Sequence, residues 1–93
     1  MSKSASCGNR GEDVRSDVHV SITLHDEGGL VIGLESKVSR LYGDDILHQV
    51  QTILSHCGIA DAVVEITDSG ALPFVLAERL EAAIRQVLDT NNE

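Results

Sequence analysis

The chain has 93 residues, 42% of them hydrophobic, and a formal charge of −8. A chain of that length buries one modest core, so a single domain is expected. The charge is uneven: residues 1–16 carry three basic and two acidic side chains, whereas residues 17–93 carry four and thirteen, a formal −9. Such a field repels phosphate backbones and anionic lipid and favours basic protein surfaces, which argues against nucleic-acid and membrane roles. No apolar run reaches the roughly 18 residues needed to span a bilayer, and MSKSASCGNRGED lacks the apolar core of a secretion signal. A cytoplasmic protein is expected. Cys7 and Cys57 read as reduced thiols, since their spacing matches neither a metal motif nor a dense disulfide framework.

Residues 1–16 are rich in Ser, Gly and charge and offer little apolar area to offset the entropy of ordering, so a flexible segment is expected there. From Asp17 the pattern alternates. Val18, Val20, Ile22 and Leu24 face one way and His19, Ser21, Thr23 and His25 the other, which predicts a half-buried strand. Asp26-Glu27-Gly28-Gly29 tolerates positive φ, and Leu30, Ile32 and Leu34 resume the period, as an antiparallel hairpin requires. After Gly43, Asp44 or Asp45 is expected to cap a helix whose apolar residues Ile46, Leu47, Val50, Ile53, Leu54 and Cys57 recur at steps of three and four until Gly58. Cys57 extends that stripe and is expected to be mostly buried. Ala62 to Thr67 reads as a third strand with Ala62, Val64 and Ile66 inward. The last helix is predicted from about Leu72 to Leu88, with Leu72, Leu76, Leu80, Ala83, Ile84 and Val87 on one face. These elements predict an α+β fold: a β-β-α-β-α two-layer sandwich, its three-stranded antiparallel sheet in the order 2-1-3 and both helices on one face.

Asp68-Ser69-Gly70 invites comparison with the Asp-Ser pair that holds phosphopantetheine in ordinary acyl carriers. Those carriers are helical bundles, however, and the alternating strands contradict that architecture. Helix capping ahead of Pro73, a residue favoured in the first helical turn, accounts for Asp68 and Ser69 without a ligand. His19 and His25 stand about 20 Å apart at 3.3 Å per strand residue, and His48 and His56 about 12 Å apart at 1.5 Å per helical residue, too far in either case for one coordination shell. Gly28-Gly29 joins two strands and has no helix N-terminus behind it to bind phosphate. One Tyr and one Phe make no stacking platform for bases. No constellation of catalytic residues emerges.

Taken in order, G-x5-D at Gly11–Asp17, Gly28-Gly29-Leu30, Tyr42-Gly43-Asp44, Asp68-Ser69-Gly70-Ala71-Leu72 and Arg79-Leu80-Glu81-Ala82 resemble the acyl carrier (gamma) subunit family of citrate lyase. The resemblance runs from about Gly11 to Leu88 with essentially no gaps. It implies a non-catalytic carrier domain over residues 17–90, preceded by the segment 1–16. It also implies a CoA-derived arm, phosphoribosyl-dephospho-CoA, joined to an N-terminal serine by a phosphodiester. The implied partners are the alpha and beta subunits of the lyase and the transferase that attaches the arm. The implied chemistry is acyl exchange, in which acetyl on the arm's thiol gives way to citryl and is regenerated on cleavage to oxaloacetate. Lys commonly stands in the family where this chain has Ser69, which supports a capping role for Asp68-Ser69.

The family's modified serine usually lies two residues before the position of Asp17, where this chain has Arg15. Ser16, one residue later, is the expected attachment point, as the only hydroxyl next to Asp17 at the start of the first strand; Ser4 and Ser6 lie well outside the matching segment. Carriers for citramalate lyase or malonate decarboxylase use the same kind of arm and are the nearest alternatives. A different class is an unmodified interaction domain whose open sheet face presents Val31 and Val63.

Overall fold

A computed structural model describes residues 3–11, 13, 17–36 and 39–89, with residues 39–42 described by their backbone alone. The elements are β1 (Lys3–Gly8), β2 (Val18–Leu24), β3 (Leu30–Ser36), α1 (Ser39–His56), β4 (Ala62–Asp68) and α2 (Pro73–Asp89). The four strands form one mixed sheet in the order β1-β2-β4-β3. β2 is antiparallel to both β1 and β4, whereas β3 runs parallel to β4.

This corrects the expected sheet in three respects: it has four strands, it is mixed, and the two strands read as a hairpin are not neighbours. The fourth strand comes from residues 3–8, inside the stretch expected to be flexible. Its alternation is real but weak: Ala5 and Cys7 pack on the core while Ser4 and Ser6 point outward, and their small apolar area hid the signal. β4 separates β2 from β3. The five residues joining those strands are too many for a tight two-residue hairpin and leave room for a strand between. Asp61, just before β4, holds the connection open. Its carboxylate accepts the Gly29 amide at 2.8 Å, its carbonyl accepts the His25 amide at 3.1 Å, and the Ala62 amide reaches the Gly29 carbonyl at 3.1 Å. β4, with Ala62, Val64, Ile66 and Asp68 buried, lies in the interior of the sheet, where both of its edges are paired.

The registers lay inward residues in rows across the sheet, Cys7–Val20–Ile66–Leu34 and Ala5–Ile22–Val64–Ile32. Both helices cover this face: α2 packs over β1 and β2, and α1 packs over β3 and against α2. Val18, Val20, Ile22, Val64, Leu54 and Leu80 are fully enclosed between the layers. The inward assignments for β2, β4 and α2 therefore hold, with Leu72 as the exception. It precedes α2 and is 58% exposed.

α1 starts at Ser39, five residues before the expected cap, because Gly43 stays helical despite its cost of about 1 kcal/mol relative to Ala. Asp44 and Asp45 are thus exposed residues of its second turn, not caps. Its C-terminus is a Schellman motif: the Ile59 amide bonds the Leu54 carbonyl at 3.0 Å, the Gly58 amide bonds that of Ser55 at 3.1 Å, and Gly58 takes φ +72°. The reversal puts Ile59 against the core and turns Cys57 outward, so Cys57 is exposed, contrary to the burial expected from its stripe.

Candidate functional site

The site is built around Asp17, the residue that opens β2. Its carboxylate accepts four hydrogen bonds. The Asn9 carboxamide and the Val18 amide donate at 2.8 Å each, and the Arg79 guanidinium donates through Nε and Nη2 at 3.1 Å each. The two-pronged geometry matches the planar fork of Arg to both carboxylate oxygens, the strong form of this contact. The Asp17 side chain is only 14% exposed. The Asn9 hydrogen bond above all, then Arg79 and the Val18 amide, hold the Asp17 carboxyl down from 3.8 to about 2, outweighing the opposing effect of desolvation. The same pairing, with a smaller contribution from nearby Cys7, raises Arg79 above its ordinary value.

The backbone of Asp17 is held as firmly as its side chain. Its carbonyl accepts the Ser69 amide at 2.9 Å, which fastens the start of β2 to the turn after β4. That turn is itself fixed by Asp68, 5% exposed, which accepts the Ser36 hydroxyl at 2.8 Å and the Ala71 amide at 3.0 Å. Asp68 therefore shapes the turn ahead of α2 and ties it to the end of β3. It bonds no first-turn amide of the helix, which corrects the capping expected of it, while Pro73 does occupy the first helical position. At the other end of the loop, Gly8 adopts φ +98°, and a Cβ there would overlap the Val18 carbonyl oxygen. Only glycine lets β1 leave the sheet so close to β2.

Residues from three sequence segments far apart in the chain thus meet at one place: Asp17 of the first, Ser69 of Asp68–Leu72 and Arg79 of Arg79–Ala82. Arg79 is 62 residues from Asp17. Sequence reading picked out each segment but not their convergence, and no local pattern announces a pairing over that distance. Asn9 and Gly8 were not singled out at all. Ser16, the expected attachment residue, and Arg15 before it lie outside the described residues. Of the loop, Asn9, Arg10, Gly11 and Asp13 are exposed. Ser4 and Ser6 are exposed residues of β1, which is paired along its length with β2. Among the described residues no three His, Cys, Asp or Glu side chains converge as a metal site would require, and no helix is long and apolar enough to cross a membrane.

Residues 3–87 match the family described as malonate decarboxylase delta subunit (MdcD), an ACP family. Among curated proteins the chain is similar to the citrate lyase acyl carrier protein of Fusobacterium nucleatum, with 31% identity over 77 residues that span 83% of this chain and 82% of the relative. It is 35% identical to that of Vibrio cholerae over 77 residues, 83% of this chain and 79% of the relative. To that of Clostridium perfringens it is 33% identical over 76 residues, 82% and 75% of the two chains. The matched span takes in the Asp17 clamp and both segments that build it, and the chain belongs to the citrate lyase acyl carrier protein family.

Proposed function

We propose that this chain is the acyl carrier subunit of a citrate lyase complex, a non-catalytic cytoplasmic protein that bears phosphoribosyl-dephospho-CoA on Ser16 through a phosphodiester. The observation that carries the reading is the convergence on Asp17. An anchor residue for a long arm needs two properties: access for the enzyme that modifies it, and a rigid point immediately behind it from which the arm swings. The exposed residues Asn9, Arg10, Gly11 and Asp13 supply access along the loop. Asp17, next in the chain after Ser16, supplies the rigid point through its side-chain and backbone bonds. The residues present suit a phosphate ester in this respect, since Arg79 leaves the clamped Asp17 charge neutralised beside the anchor. When bound, the arm supplies a thiol that holds acetyl and citryl groups as thioesters, and the alpha and beta subunits act on them. The protein's own contribution is to hold the anchor and to dock.

Intact mass of the protein from its own host tests the reading. An added mass equal to the arm, lost in Ser16→Ala together with lyase activity, is expected. Full modification of Ser16→Ala would move the arm elsewhere, and a native protein with no added mass would leave an unmodified interaction domain. That second reading draws on Arg15, which stands where the family usually has its serine. The match to the malonate decarboxylase delta subunit family supports a third, a carrier for that decarboxylase; the acyl group recovered from the thiol distinguishes it.

A further inference from the structure

Between the first half of α1 and the connection from β4 to α2 lies a groove of about 350 Å³. Ile46, Ala71, Pro73 and Leu76 form apolar walls, and Asp45 and Gln49 stand on the α1 side. The Gln49 carboxamide donates to the Pro73 carbonyl at 2.7 Å, which holds the two walls together. Two large hydrophobic residues at the groove are uncovered: Leu72, 58% exposed, lines it, and Phe74, 62% exposed and the only Phe of the chain, directly follows the lining residue Pro73. A single exposed apolar residue is ordinary, but an aliphatic and an aromatic side chain beside an apolar groove form the kind of patch that another surface buries.

Charge decides what that surface is. No basic side chain lines the groove among the described residues, whereas Asp45 and Asp68 do. Exposed Asp44 adjoins Asp45, and exposed Glu78 follows Phe74 by one helical turn. A second copy of this chain would bring another formal −8 against the first. A phosphate-bearing arm would meet the same carboxylates. A protein surface that presents an apolar side chain within a ring of Lys and Arg satisfies both the walls and the rim.

We propose that the groove between α1 and α2 is a docking socket for an apolar side chain of a partner protein whose surrounding surface is basic. That the partner is a catalytic subunit of the lyase rests on the carrier reading. Placement favours it: Asp68 and Gly70 border the groove, and Ser69 between them holds the Asp17 carbonyl, so a partner seated there lies beside Asp17, the residue that follows the proposed anchor in the chain.

The test measures binding of the protein to the purified citrate lyase catalytic subunits of its own host by calorimetry at low and high salt. Phe74→Glu and Asp45→Lys alter exposed side chains, and Val31→Glu, on the opposite side of the sheet, serves as control. Circular dichroism verifies that each variant is folded. Phe74→Glu is expected to weaken binding about ten-fold or more, and Asp45→Lys to weaken it and flatten its salt dependence, with Val31→Glu unchanged. Unchanged binding by the first two variants overturns the socket, as does a loss confined to Val31→Glu. Concentration-dependent self-association abolished by Phe74→Glu would assign the groove to a second copy. Groove amide shifts between arm-bearing and arm-free protein would assign it to the arm, and either result overturns the proposal. If the protein carries the arm and binds but the variants behave alike, the socket fails alone; if it carries no arm and binds no lyase subunit, the carrier reading and the socket fail together.

Discussion

Arg79 on α2 grips Asp17 at the head of β2 through two hydrogen bonds of 3.1 Å, joining the sheet to the helix at the end where β1 returns to β2. Because Asn9 and the Val18 amide share the carboxylate, removing Arg79 leaves Asp17 partly held. In Arg79→Ala, carboxylate titration followed by NMR is expected to show the Asp17 value rising from about 2 only part of the way to 3.8. A value that does not move would show that the guanidinium contributes nothing. Asp17 is depressed in the fold, so its stabilisation is complete above pH 3.8 and is lost as pH falls towards 2. Asp17→Asn, which cannot be so stabilised, is expected to flatten the loss of stability in that window.

Gly8 meets two demands that alanine cannot, a left-handed φ of +98° and close approach to the Val18 carbonyl. Gly8→Ala is expected to cost more than about 1 kcal/mol in urea denaturation and to reduce hydrogen-exchange protection of the β1 amides first, because β1 is an edge strand held on one side. An unchanged midpoint and unchanged protection would contradict this.

The two thiols differ in access. Cys57 sits exposed at the end of α1, and Cys7 is half-buried under α2. A bulky thiol reagent applied to the native protein is expected to label Cys57 rapidly and Cys7 slowly. Cys57→Ser is expected to change stability by less than about 0.5 kcal/mol, as for other exposed positions without special contacts.

Leu72 and Leu80 shared one predicted stripe but occupy opposite environments, 58% exposed and fully buried. Thermal or urea unfolding is expected to place Leu80→Ala about 2–5 kcal/mol below the native sequence, since it opens a cavity between α2 and the sheet. Leu72→Ala is expected to lie within about 0.5 kcal/mol of it. Equal losses would put Leu72 back in the core.

Elements with a strong periodic contrast were legible from the chain alone. Val18, Val20 and Ile22 alternate with polar residues, and Leu76, Leu80, Ile84 and Val87 recur at helical steps, so both the type of element and its buried face followed from the residues. The ordered motifs from Gly11 to Ala82 likewise carried the family. What tertiary structure alone decided were the relationships that local pattern does not encode. β4 enters between β2 and β3, pairing with β2 on one edge and β3 on the other, the outcome of a competition among distant segments. β1 is ordered although Ala5 and Cys7 bury little, because β2 offers it a ladder of backbone partners and α2 a roof. The Schellman turn exchanges Ile59 for Cys57 in the core, since a helical stripe continues only as long as the helix does. The clamp on Asp17 depends on Asn9, Ser69 and Arg79 arriving together from separate segments, and that meeting exists only once the sheet and α2 have packed.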